Sequence, residues 1–111
     1  MLDFFVMTEM NRLDMLTQFL EQNPNDAFAR YGLAMEYSNA GKIDEALQQF
    51  KTLLEKNPDY VPGYFMAAQT LEKAGRTDDA KRMLVDGISS ARRTGNAHAQ
   101  SEMTAMLESL T

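Results

Sequence analysis

The chain has 111 residues, which is enough for one domain with one hydrophobic core but not for a catalytic domain joined to a separate recognition domain. Hydrophobic residues make up 44% of the sequence and charged residues 24%, a globular composition that excludes an extended disordered chain. The net charge of −5 argues against nucleic acid as a partner, because phosphate binding needs clustered cations.

A disulfide framework and a thiolate metal site are both excluded, because the sequence contains no cysteine. A cytoplasmic location is therefore the expected one. The N-terminal segment, residues 1–8, carries the acidic Asp3 where a secretory signal needs a basic residue, and its apolar run is too short to span a membrane. We expect this segment to be a loose tail and expect no membrane partner.

The first predicted helix covers about residues 9–22 and stops before Pro24, which cannot continue a helix. Its apolar residues recur at helical spacing: Leu13, Leu16, Phe19 and Leu20. A second helix is predicted at about 26–39, ending near Gly41, because glycine readily adopts the left-handed conformation that terminates helices. A third, at about 43–56, starts with Asp44 and Glu45, whose carboxylates interact favourably with a helix N-terminus.

The fourth predicted helix, at about 60–74, has Pro62 in its first turn and Gly75 just beyond its end. The fifth, at about 77–93, has Thr77 as its predicted N-cap, followed by Asp78 and Asp79. The sixth covers about 96–110 and carries one apolar stripe: Ala99, Met103, Met106, Leu107 and Leu110. The short linkers predict that neighbouring helices are antiparallel.

An internal repeat of 34 residues relates these helices, which indicates stacked supersecondary units. The matches at this offset are Leu20-Glu21 with Leu54-Glu55, Asn23-Pro24 with Asn57-Pro58, Ala40-Gly41 with Ala74-Gly75, and Asp44-Glu45-Ala46 with Asp78-Asp79-Ala80. Because they fall mostly where helices start or stop, the repeating unit is a helical hairpin.

The unit at residues 27–60 resembles the tetratricopeptide repeat (TPR), whose pattern is W-x2-L-G-x2-Y, then A-x3-F, then P. The residues at the pattern's places are Leu33, Ala34, Tyr37, Ala46, Phe50 and Pro58, with Arg30 departing at the Trp. The unit at 61–94 is a weaker match through Tyr64, Ala67, Ala68, Leu71, Ala80 and Leu84, with Arg92 in place of the final Pro. The chain is similar to small bacterial-type TPR proteins.

The resemblance implies an all-α fold, a right-handed α-solenoid of antiparallel helix pairs in one domain over residues 1–111. Residues 9–26 are then a partial repeat, 27–60 and 61–94 two full repeats, and 95–111 a capping helix. Helices can approach closely only where side chains are small, and the candidate positions are Ala34, Ala46, Ala68, Ala80 and Gly87.

In this family the first helix of each repeat lines a concave groove that binds peptides or helices of partner proteins. By position, the resemblance assigns this groove to Phe28, Tyr31, Met35, Asn39, Pro62, Phe65, Met66, Gln69 and Lys73. Aromatic and Met residues are common at interface centres, so an apolar or amphipathic helical ligand is expected. The carboxylate clamp of some relatives is not expected, because Asn39 and Lys73 lie only toward the helix ends. The competing interpretation of this stripe is that the final helix, the loose N-terminus or simple contacts between helices already cover it.

Two other functions compete with a peptide-binding adaptor or scaffold. A homodimer could form through the groove or the apolar N-terminus, with no peptide ligand. A small enzyme is disfavoured, because the one histidine, His98, has no Cys or second His with which to hold a metal, and no phosphate-binding glycine loop occurs. Neither a cofactor nor a metal is therefore expected. A basic patch is interpreted as a solvated surface: Arg76, Lys81, Arg82, Arg92 and Arg93.

Overall fold

The computed structural model describes the backbone from residue 4 to residue 111 and the side chains from residue 12 onward. This part of the chain forms six α-helices: α1 (Phe4–Gln22), α2 (Ala27–Asn39), α3 (Ile43–Lys56), α4 (Val61–Lys73), α5 (Thr77–Arg93) and α6 (Ala97–Leu110). The last five begin and end within one residue of their predicted bounds. Helix α1 starts earlier than predicted, because no glycine or proline interrupts the sequence between Phe4 and Gln22. Of the predicted tail, residues 1–3 lie outside the described residues.

The predicted helix ends depend on glycines with positive φ. Gly41 and Gly75 have φ of 78° and 77°, a conformation that costs glycine little and other residues more. After Gly75, the backbone N–H of Arg76 donates to the carbonyl of Leu71 at 2.9 Å, which closes the turn and satisfies the end of α4. The same bond runs from Lys42 to Tyr37 at the end of α2.

The helix starts differ from one another, and one prediction about them was wrong. Thr77 is the first helical residue of α5 and not its N-cap; the N-cap is Arg76, which makes no side-chain capping bond. The N–H of Arg76 closes the turn at Gly75, and α5 begins at the next residue, Thr77. Side-chain caps occur instead at Asp26, which accepts from the N–H of Ala29, and at Asn96.

The helices form two layers. Helices α2, α4 and α6 make one layer, called the inner layer below, and α1, α3 and α5 make the outer layer. Each helix packs against its neighbours in sequence, with lighter contacts from α2 to α4 and from α4 to α6. The molecule is elongated, at 52 × 28 × 21 Å, as expected when each repeat contacts only the next. The structure thus confirms the all-α solenoid.

Small residues lie where the helices of a pair cross. Ala34 and Ala46 are fully buried between α2 and α3, and Ala68 and Ala80 are fully buried between α4 and α5. At Gly87 the approach is closer still, because an added Cβ would lie 2.6 Å from the Cβ of Tyr64. The side-chain hydrogen of Gly87 therefore cannot be replaced by a methyl group unless α4 and α5 move apart.

Helix α6 begins later than the 34-residue repeat would place it, because α5 is longer than α3. Helix α5 has 17 residues and α3 has 14, and the N-caps Asp26, Tyr60 and Asn96 are consequently not equally spaced. The apolar stripe predicted for α6 nevertheless packs on the α4–α5 core. Met103 is fully buried, and its stripe partners pack around that core: Ala99, Met106, Leu107 and Leu110.

The loop between α3 and α4 is tied to the end of α5 by Asp59. Its carboxylate accepts hydrogen bonds from Arg93 at 2.7 Å and from the hydroxyl of Ser90 at 2.9 Å. These two donors, Arg93 first and Ser90 second, lower the pKa of Asp59 below its ordinary value. Ser90 is itself buried, so this contact fixes the loop against the second repeat.

Replacement of Gly87 by Ala should destabilise the protein by about 1–3 kcal/mol, because the new methyl group overlaps Tyr64 and the sulfur of Met103. The matched control is Gly32→Ala in α2, where the new Cβ would lie 3.6 Å from Leu16, an ordinary contact. That change should stabilise by about 0.5–1 kcal/mol through helix propensity. Urea denaturation followed by circular dichroism measures both. Equal effects of the two changes would contradict the close approach at Gly87.

Replacement of Asp59 by Asn should lower the free energy of unfolding at neutral pH. A carboxyl group whose folded pKa is lowered stabilises the fold above its unfolded pKa, and this contribution is lost as the pH falls through the folded value. The stability curves of Asp59→Asn and the wild type should therefore converge in acid. Arg93→Gln should show the same convergence. Curves that stay parallel at all pH values would show that the carboxylate is not stabilised in the fold.

Candidate functional site

The inner layer carries all nine residues that the sequence assigned to a groove, but their exposure differs along the helices. Phe28, in the first turn of α2, is 75% exposed. Pro62 is also exposed, in the first turn of α4. Asn39 and Lys73 are exposed as the last residues of the same two helices. The most accessible predicted residues therefore lie at the helix ends.

The middle of this face is half-buried between α2 and α4. Tyr31, Met35 and Met66 pack against one core cluster, which consists of Ala34, Ala46, Phe50, Leu53 and Ala67. The structure thus brings these three predicted residues together. Because they contribute to the core, they form the floor of the face and do not project from it.

Tyr31 also contacts an aromatic residue that the sequence analysis did not assign to the site. Its ring centroid lies 5.5 Å from that of Tyr60, with the ring planes tilted by 50°. This geometry is favourable for an aromatic pair. Burial raises the pKa of both phenols above the ordinary tyrosine value, and the neighbouring Tyr31 raises that of Tyr60 further. Both side chains are therefore neutral hydrogen-bonding groups near pH 7.

Phe65 and Gln69 are the remaining predicted residues. Phe65 packs against the second core cluster, which includes Val61, Tyr64 and Met103. Gln69 is half-buried on the same helix. Tyr31, Met35 and Met66 therefore pack with one core cluster and Phe65 with the other.

A hydroxyl pair between α2 and α4 was not anticipated from the sequence. The oxygens of Ser38 and Thr70 are 3.0 Å apart. Thr70 donates its own proton to the carbonyl of Met66 at 2.9 Å, so Ser38 donates to Thr70. Thr70 is fully buried, and this bond fixes the separation of the two helices at one end of the face. Two hydroxyl residues 32 positions apart give no recognisable sequence signal.

Three of the five residues in the predicted basic patch are paired with neighbouring carboxylates. Arg76 and Arg82 both donate to Asp79, and Arg93 donates to Asp59. The hydrogen bonds from Arg76 and then Arg82 lower the pKa of Asp79. The two contacts of Asp79 are exposed pairs within one helical turn, so they contribute little to stability. They support the interpretation of the patch as a solvated surface.

No catalytic cluster is apparent in the described residues. His98 is exposed on α6, with its Nε2 3.3 Å from Glu102. Across residues 12–111, no three His, Cys, Asp or Glu side chains lie close enough to hold a metal ion. None of the helices that the structure describes combines the length and the apolar content that a membrane span requires.

Comparison with known proteins gives the same architecture. A family model described as tetratricopeptide repeat matches residues 39–101, and a second model with the same description matches residues 15–48. A TPR repeat-containing protein from Pseudomonas aeruginosa is 27% identical over 95 residues, which cover 86% of this chain and 90% of that protein.

Solved structures have the same arrangement of helices. A tetratricopeptide repeat domain protein from Salinibacter ruber is 36% identical, with a TM-score of 0.74 over 78% of this chain and 88% of the other. The TPR2B domain of yeast Sti1, solved as a complex with pHsp70, has a TM-score of 0.84 over 96% of this chain and 86% of the other, at 18% identity. The chain belongs to the tetratricopeptide-repeat family, whose members are generally non-catalytic protein-interaction modules.

Proposed function

We propose that this chain is an adaptor that binds an apolar or amphipathic helical segment of a partner protein along the inner layer. The observation that carries the proposal is Phe28, a large aromatic residue that is 75% exposed at one end of the face. Exposure of a large aromatic side chain to water is unfavourable, and its burial by a partner contributes favourable binding free energy. An enzymatic role has no comparable support among the described residues.

The floor behind Phe28 favours an apolar ligand. Tyr31, Met35 and Met66 are half-buried there, so each keeps part of its surface for a partner while it is held in place by the core. Held side chains lose little conformational entropy on binding. The methionines can also change rotamer to fit ligands of different shape. A segment with apolar side chains on one face would complement this floor.

The polar residues of the face do not favour a carboxylate clamp. Asn39 and Lys73 are exposed as the last residues of α2 and α4. The predicted positions one or two turns earlier on these helices carry Met35, Phe65 and Gln69. A clamp requires several donors that converge on one anion. The pHsp70 bound to the yeast domain does not indicate whether this chain has such a clamp, because the two sequences are only 18% identical.

Replacement of Phe28 by Asp should reduce capture of the partner by about tenfold or more, because an exposed aromatic anchor is replaced by a charge. The matched control is Val85→Asp, since Val85 is also an exposed apolar residue, at 52%, but lies on α5 of the outer layer. The immobilised proteins are compared by quantitative mass spectrometry of what they retain from a lysate. Proteins lost with Phe28→Asp and kept with Val85→Asp are the groove ligands. Identical profiles for the two variants would remove the inner layer from the proposal.

Self-association is the second candidate function, and exposed apolar side chains on α1 favour it. Met15 is 65% exposed and Phe19 is 46% exposed. The residue 34 positions after Phe19 is Leu53, which is fully buried in a core cluster contributed by α2, α3 and α4. No described helix covers the corresponding face of α1, so a second copy of the chain could pack there through an isologous contact.

Replacement of Phe19 by Asp should therefore lower the average mass at high micromolar concentration if the chain dimerises through α1. Light scattering at several concentrations measures this directly. The helical circular dichroism signal should be retained, because Phe19 is half-exposed. A wild-type protein that is monomeric over the whole concentration range would remove this candidate and leave the adaptor.

A further inference from the structure

Helix α1 occupies the repeat position of a second helix, but no described helix packs on it as the first helix of its pair. Its residue Met15 stands 34 positions before Gln49 of α3. Gln49 accepts a hydrogen bond from Arg30 of α2 at 2.8 Å, so this position faces the first helix of the same repeat. On α1 that position is uncovered, because Met15 is 65% exposed.

Phe19 gives the same result one turn later on α1. It stands two repeats before Gly87 of α5, where an added Cβ would lie 2.6 Å from the Cβ of Tyr64. Tyr64 belongs to α4, the first helix of that repeat, whereas Phe19 is 46% exposed. The exposed apolar face of α1 is therefore the face on which a full repeat carries its first helix.

The described backbone has no hairpin turn through which a first helix could join α1. In the full repeats this turn lies at Gly41 and Gly75, and residue 7 occupies the same place before α1. The backbone is helical there, because α1 runs without a break from Phe4 to Gln22. A helix that covers this face of α1 therefore has to come from another segment.

Helix α6 is the reverse case, because it occupies the position of a first helix and no described helix packs on it as the second. Thr104 lies eight residues after the N-cap Asn96, as Ala68 lies eight residues after the N-cap Tyr60 of α4. Ala68 is fully buried against α5, whereas Thr104 is exposed. Among the described helices, α6 contacts α4 and α5 and does not reach α1 of its own molecule.

The open faces of α1 and α6 are complementary in side-chain size. Helix α1 presents the large apolar side chains of Met15 and Phe19. The open face of α6 is formed mainly by short side chains: Ala97, Gln100, Ser101, Thr104, Ala105 and Glu108. Within the full repeats, paired helices likewise approach where small residues lie at the crossing. A large apolar residue of α1 can thus pack over the short side chains of α6.

The charged residues on these two faces have opposite signs. Arg12 stands 34 residues before Ala46, which is buried at the crossing of α2 and α3, and so lies on the open face of α1. Glu108 lies in the last turn of α6. In an antiparallel pair the end of the first helix is next to the start of the second, which brings these two charges together. Arg12 pairs with Glu36 at 3.1 Å and has donors for a second carboxylate.

We propose that copies of the chain associate head to tail, with α6 of one copy packed on α1 of the next as the first helix of a shared repeat. The proposal rests on self-association, the second candidate function, and makes the contact heterologous in place of isologous. Such a contact leaves one α1 and one α6 free, so the assembly grows with concentration. Because Arg12 replaces the alanine of the full repeats, the helices approach less closely and the association is weak and reversible.

Two variants that each block one face test the proposal. Met15→Asp and Thr104→Asp should each weaken self-association by about tenfold or more, because a carboxylate enters the contact. An equimolar mixture of the two should form a heterodimer of twice the chain mass and nothing larger, since one variant retains its α6 face and the other its α1 face. Sedimentation velocity at high micromolar concentration measures the masses.

The matched controls are Thr17→Asp and Ser109→Asp, which change exposed residues on other faces of α1 and α6. Both should associate as the wild type does, with the helical circular dichroism signal retained in all four variants. Glu108→Lys, which places a second cation near Arg12, should weaken the association by about threefold.

Three results would overturn the head-to-tail contact. A Thr104→Asp variant that associates as strongly as the wild type would exclude it and leave the isologous contact through α1. A mixture of the two blocked variants that stays monomeric, while the wild type associates, would also exclude it. A wild-type chain that is monomeric at every concentration would remove self-association altogether and leave the adaptor function untouched.

Discussion

The arrangement of the whole molecule depends on how closely paired helices approach at a few alanine and glycine positions. Ala34, Ala46, Ala68 and Ala80 are fully buried at the crossings within the two full repeats. Because side chains there extend no further than a methyl group, the larger residues beside them, such as Phe50 and Leu84, can fill the remaining space completely. The separation of the helices in each pair therefore follows from residue size at single positions.

This close packing also decides how much of each surface remains for partners. In the inner layer, Tyr31, Met35 and Met66 are drawn into the core cluster beneath them, while Phe28 stays exposed. In the outer layer, α3 and α5 are held apart by α4, and the space between them becomes a cleft. The two faces are consequences of one packing scheme, yet they offer different chemistry.

The repeat supplies the same backbone twice, and side chains make the copies different. In the first repeat Arg30 donates a hydrogen bond to Gln49, whereas the same repeat positions in the second carry Tyr64 and Met83. The ends of the array also differ. Helix α1 exposes Met15, while the outer surface of α6 is mainly small and polar, formed by Gln100, Ser101, Thr104, Ala105 and Glu108.

The sequence by itself determined the architecture, because the signals that define a helical repeat are local. A glycine after a helix, an acidic pair at a start and a proline in a first turn each act on the adjacent backbone, so an offset of 34 residues revealed the fold and nearly all helix bounds. Thr77 was misassigned because α5 begins only two residues after Gly75, so that Arg76 is the N-cap and Thr77 is already helical. Only the tertiary structure decided which of the predicted groove residues are exposed and which pack into the core, and how Ser38 meets Thr70. These features depend on distances between separate helices, which no periodicity within one helix encodes.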